Sequence, residues 1–153
     1  MPVHAIAGHL VVVVAPLAAI VALWCAVRPA SRHGLRWPLV ASSTVTVGLV
    51  VWAGEAAKPL LASVKAQGTA VEVVAATAHG KGTDSLALSS AGLFITALVA
   101  LWLFRRPDRT DGLAARVVAI TLGLCGLAVI ATTWTTLSSA LQAVWMHHPS
   151  WRA

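Results

Sequence analysis

Four apolar stretches, at about residues 4–28, 37–58, 84–104 and 113–145, dominate the chain. Each has at least the ~20 residues that a helix needs to cross a ~30 Å hydrocarbon core. Lipid offers the backbone no hydrogen-bond partners, so such stretches must be helices or the strands of a closed barrel. The runs are continuous and do not alternate in steps of two, which excludes a barrel. Composition agrees, because 58% of the 153 residues are hydrophobic and only 10% are charged, against roughly 25% charged in soluble domains. The chain is therefore expected to be one all-α domain over residues 1–153, a polytopic membrane protein with four transmembrane helices in a bundle.

The first stretch reads as an anchor and not as a cleaved signal, since no Lys or Arg precedes Arg28 and the basic cluster follows the apolar run. Trp24 is too bulky for a lipidation site at Cys25, so Cys25 and Cys125 are expected to be small apolar residues inside helices. Arg28, Arg32 and Arg36 lie in or beside the connection of the first two stretches, and Arg105, Arg106, Arg109 and Arg116 in or beside that of the last two. The remaining connection and the termini carry Lys58, Lys65, Lys81 and Arg152. By the positive-inside rule the two arginine loops are cytoplasmic, which puts both termini and the 58–84 connection on the outer side of the plasma membrane. Trp24, Trp37 and Trp102 then fall at inner helix ends, and Trp52 and Trp134 near outer ends, as interfacial belts require. The net charge of +6 is a topology signal, with no soluble domain to bind nucleic acid.

On that topology His4, His9, His79, His147 and His148 lie outside, and only His33 lies inside. Glu55 is expected at about the depth of His9, turned inward where His9, His79 or a hydroxyl of the last helix can meet it. His79 and Asp84 stand just before the third stretch. Interfacial solvation explains any one of these residues singly. Several ionisable groups at one depth, coming from different elements, point instead to a site.

The 58–78 segment reads as two short amphipathic helical pieces lying along the outer interface and divided at Gln67-Gly68, with Pro59 in the first turn of the first piece. Glu72 and His79 share a face if the second piece is continuous. At its outer end the last stretch carries Thr132, Thr133, Thr135, Thr136, Ser138, Ser139 and Gln142. These residues either bond back to their own helix or line the outer half of the bundle.

The order of PVHAIAGH, VVVVAPLAA, AGE, HGKGTD and SALQAVW along the chain resembles the mostly actinobacterial membrane proteins of the domain of unknown function 2231 family, and the resemblance spans nearly the whole sequence. It implies four helices, with the family's paired histidines at His4 and His9, its Gly-Glu at Gly54 and Glu55, and its His-to-Asp pair at His79 and Asp84. The family's closing Gly-His-Ser-Gly-Ala has its histidine replaced here by Ser138. Some members resemble fusions to a Rieske iron–sulfur domain, which implies a redox setting.

Two functions from different classes compete. One is a membrane subunit that binds a cofactor for electron transfer, either b-type haem with axial His9 and His79, or a transition metal with His4, His9, His79 and Glu55. His4 and His9 are about 140° apart round a helix, so they cannot share one site without fraying, and this geometry favours His9. The other is a non-catalytic accessory subunit packed against further membrane proteins, redox proteins among them, with the polar cluster solvated or vestigial. Hydrolytic and phosphate-binding motifs are absent from the sequence, so enzymatic status is left open with the balance against it, and the cofactor is left unassigned.

Overall fold

The computed structural model describes residues 3–106 and 110–145, without the side chains of Val3, His79 and residues 143–145. Arg109, His147, His148 and Arg152 lie outside the described residues. The described chain is helical throughout, in the order α1 (Val3–Val27), a 3₁₀ turn (Pro29–Ser31), α2 (Arg32–Gln67), α3 (Ala70–His79), α4 (Thr83–Leu103) and α5 (Leu113–Trp145). Four stretches of it are long and apolar enough to cross a membrane. The chain is thus an all-helical protein with four candidate spans.

Three of the four expected helices fall within a residue or so of their expected bounds, and α2 does not. It begins five residues earlier than expected and runs on through Pro59 for 36 residues, about 54 Å at 1.5 Å per residue. The expectation that Pro59 opens a separate piece is corrected. A proline removes only its own bond, here the one to the Glu55 carbonyl, and the Ala-, Leu- and Lys-rich residues around it are strong helix formers.

The helix stops where local chemistry stops it. Thr69 caps the next helix: its backbone N–H donates to Glu72 Oε2 at 2.7 Å, and the Glu72 N–H donates to Thr69 Oγ1 at 3.4 Å. This reciprocal capping box fixes the start of α3. Gly82 then carries the chain into α4 with φ +89°, a left-handed conformation that a side chain resists. A Cβ at Gly82 would also stand 2.9 Å from Thr136 Oγ1 of α5.

Helix α1 packs on α2 and α5, α4 packs on α2 and α5, and α3 lies mainly against α5. The buried side of α1 is a row of small residues, Ala7, Val11, Ala15, Ala18, Ala22 and Cys25, which recur every three or four positions. Its larger residues, Val13, Leu17, Ile20 and Trp24, face outward. Small residues let backbones close to within dispersion range, which drives helix association where the surroundings are as apolar as the side chains. The α1–α5 contact depends on this: a Cβ added at Gly126 would lie 3.2 Å from the Ala19 carbonyl oxygen. Ser43, Thr46 and Thr133 are buried but bond back to carbonyls of their own helices.

Candidate functional site

The far end of the helices, away from the arginines, holds the residues expected to form a cofactor site. His4 is half-buried and its Nδ1 lies 3.0 Å from the Ala53 carbonyl oxygen of α2. His9 is exposed, with its Nδ1 2.6 Å from the Ala5 carbonyl oxygen one turn back on its own helix. Glu55 is paired with Lys58 one turn on, and its side chain is 62% exposed. The expectation of an inward Glu55 is therefore corrected. The buried face of α2 runs through Leu39, Ser43, Thr46 and Val50, and at 100° per residue that face continues to Ala53 and leaves Glu55 off it.

The expected preference for His9 over His4 as the inward histidine is also reversed. His4 stands on the small-residue row of α1, three positions before Ala7, and His9 does not. His79 closes α3, but its side chain lies outside the described ones, and the expected approach of His9 to His79 lies outside them with it. Glu72 shares α3 with His79, and its carboxylate is engaged in the Thr69 cap. Among the described residues no three His, Cys, Asp or Glu side chains gather as a metal site. The hydroxyls near the end of α5 bond back to their own helix, Thr132 to Ala128, Thr136 to Thr132 and Ser138 to Thr135, and Thr132 Oγ1 also meets Ser89 Oγ of α4 at 2.9 Å. Back-bonding and a hydroxyl pair across the α4–α5 contact thus occur together in this segment.

At the opposite end the structure builds a polar junction from Arg32, which is only 4% exposed. Its Nε donates to the Cys25 carbonyl at 3.0 Å, one terminal nitrogen to the Ala26 carbonyl at 3.0 Å, and the other to the Thr110 carbonyl. Cys25 would ordinarily be served by the N–H four residues on, but that residue is Pro29, which has none. The guanidinium replaces the missing donor. Its charge sits at the negative end of the α1 dipole and over the Phe104 ring, 5.7 Å from the centroid. His33 Nδ1 lies 3.0 Å from the Phe104 carbonyl oxygen, and Arg36 donates to the His33 and Phe104 carbonyls at 3.1 and 3.4 Å. One arginine and its neighbours thus join the end of α1, the start of α2 and the chain after α4.

Sequence reasoning counted Arg32 only as a topology charge. The signal for its second role was present in Arg28-Pro29-Ala30-Ser31-Arg32: a proline set four residues after a helical carbonyl, then a forked donor three residues later. No family model, no curated protein and no solved structure matches the chain.

Proposed function

We propose that the chain is a non-catalytic integral subunit of a larger plasma-membrane assembly, crossing the bilayer four times as an up-and-down bundle with both termini and α3 on the outer side. The observation that supports the non-catalytic half is that, among the described residues, His4, His9 and Glu55 are not gathered with a third ligand into one cluster. His4 Nδ1 contacts the Ala53 carbonyl of α2, His9 Nδ1 the Ala5 carbonyl of its own helix, and Glu55 pairs with Lys58, so each is engaged by a different group. The orientation rests on Arg28, Arg32, Arg36, Arg105 and Arg106 standing at one end, where exposed Trp24, Trp37 and Trp102 flank them.

The subunit role is supported by α2. Its exposed Ala41, Thr44 and Gly48 form an outward row of small residues, the kind of surface that lets a neighbouring membrane helix approach closely. A Cβ at Gly48 meets nothing within 4 Å, so Gly48→Leu starts its bulk on an open, exposed stretch of α2 and blocks that surface. In detergent extracts of the native membrane, the wild-type chain is expected to migrate with an assembly and the Gly48→Leu chain to migrate alone. Migration of the wild type as a lone monomer refutes the reading. An absorption spectrum of the purified protein, oxidised and dithionite-reduced, with a metal analysis, tests the rival cofactor function. A haem band or stoichiometric metal lost in His9→Ala overturns the non-catalytic reading in favour of His4, His9, Glu55 and His79. For sidedness, Gly34→Cys and Gln67→Cys in a chain whose native cysteines are alanine should differ, with only Gln67→Cys labelled by an impermeant reagent from outside.

A further inference from the structure

Beside the Arg32 junction, Arg36 and Trp37 of α2 and Leu98, Leu101, Trp102 and Arg105 at the end of α4 line an open hollow of about 550 Å³. A second hollow of about 440 Å³ adjoins it across Trp102 and Arg105 and is lined by Arg106 as well. From these two hollows we infer that the arginine end of α2 and α4 is a binding site for an anionic glycerophospholipid of the leaflet it meets.

The order of the lining carries the inference. Leu98, Leu101, Trp102 and Arg105 recur at three- and four-residue steps on one side of α4 and its continuation, so over seven residues and about 10 Å the surface passes from aliphatic to aromatic to cationic. That is the order of acyl chain, glycerol ester and phosphate along a lipid. Trp37 and Trp102 are 63% and 65% exposed, and indoles favour the ester and headgroup level. A soluble anion has no use for the leucine floor, and a zwitterionic lipid leaves the arginines with a choline charge to oppose.

Charge complementarity is strong. Among the described residues the Glu55–Lys58 pair at the far end is the only ion pair, so no described carboxylate neutralises Arg36, Arg105 or Arg106. Arg36 is held in place through one terminal nitrogen by His33 and Phe104, which orients its guanidinium in advance, while Arg105 and Arg106 are exposed. Basic hollows between membrane helices at the headgroup level are suited to phosphate heads, and a forked guanidinium can grip two phosphate oxygens at once.

The test is native mass spectrometry of the delipidated protein in detergent, titrated with phosphatidylglycerol, with phosphatidylcholine of the same chains, and with sn-glycerol 3-phosphate. Phosphatidylglycerol is expected to be retained at least tenfold more tightly than phosphatidylcholine, and glycerol phosphate not at all. Each arginine near a lipid phosphate contributes about a fivefold factor. Arg105→Gln is therefore expected to weaken phosphatidylglycerol binding about fivefold, and Arg36→Gln with Arg105→Gln about thirtyfold. Arg105 makes no bond within the described fold, so Arg105→Gln reads binding without unfolding. Lys58→Gln with Lys65→Gln, at the far end, should leave binding unchanged. Equal retention of the two lipids, binding of glycerol phosphate as tight as that of the lipid, or loss in the lysine variant equal to that in Arg105→Gln each overturns the site.

Discussion

Replacing Arg32 by Met removes three donated hydrogen bonds and a charge while keeping most of the side-chain volume. Bonds from a charged donor contribute ~1.5–3 kcal/mol each, so simple addition over the three carbonyls gives ~4.5–9 kcal/mol. That sum is too large, because the variant also escapes the cost of holding a buried guanidinium away from water with no described carboxylate beside it. The net loss is expected near ~3 kcal/mol, dominated by the Cys25 carbonyl that Pro29 cannot serve. Arg32→Lys keeps the charge but cannot fork to three acceptors and should fall between. Cys25 is fully buried at this junction and serves as the reporter. In a Cys125→Ala background, its modification by a small maleimide in detergent measures how often the junction opens. A loss of ~3 kcal/mol corresponds to a rise in opening of about a hundredfold. A Met variant that labels within threefold of the parent would refute the donor-replacement argument.

Three further outcomes are expected. Gly82→Ala should destabilise by ~1–2 kcal/mol from the left-handed φ alone, and adding Thr136→Ala should relieve the 2.9 Å contact but not that backbone term; thermal unfolding in detergent measures both. Gly126→Val should wedge α1 from α5 at the Ala19 carbonyl and cost ~1–3 kcal/mol, read from the same melts. Gly48→Ala, on an open stretch of helix, should instead stabilise the isolated chain by ~0.5–1 kcal/mol, and a loss there would show an unrecognised contact.

Which parts of the fold were legible follows from what hydropathy encodes. Length and apolarity marked α1, α4 and α5 closely, because lipid-crossing helices end where charges and loops begin. They failed at α2, where Lys58-Pro59 looks like an end but the residues beyond are good helix formers, and the stop is the cap built by Thr69 and Glu72. The far-end residues failed for another reason. Counting along a sequence gives height on a helix axis, but direction round it needs a pattern, and α1 is apolar on all sides. Side-chain size carried that pattern: Ala15, Ala18 and Ala22 inside, Val13, Leu17 and Ile20 outside. His4 follows the small row and His9 does not. Arg32 stayed hidden because its partners are backbone carbonyls, which no residue code displays.

The pairing of α1 with α5 bears on how the protein is made. Helix α1 leaves the ribosome well before α5, and the alanine row that fits Gly126 is complete before Gly126 exists. Helix α2 can cover part of α1 early, but the part that meets Gly126 waits for α5, so closing that contact is a late, long-range event of the kind that slows folding. A chain halted after α4 presents a face shaped for the α5 of another copy, and exchange of the last helix between two molecules is the misassembly this order of synthesis invites.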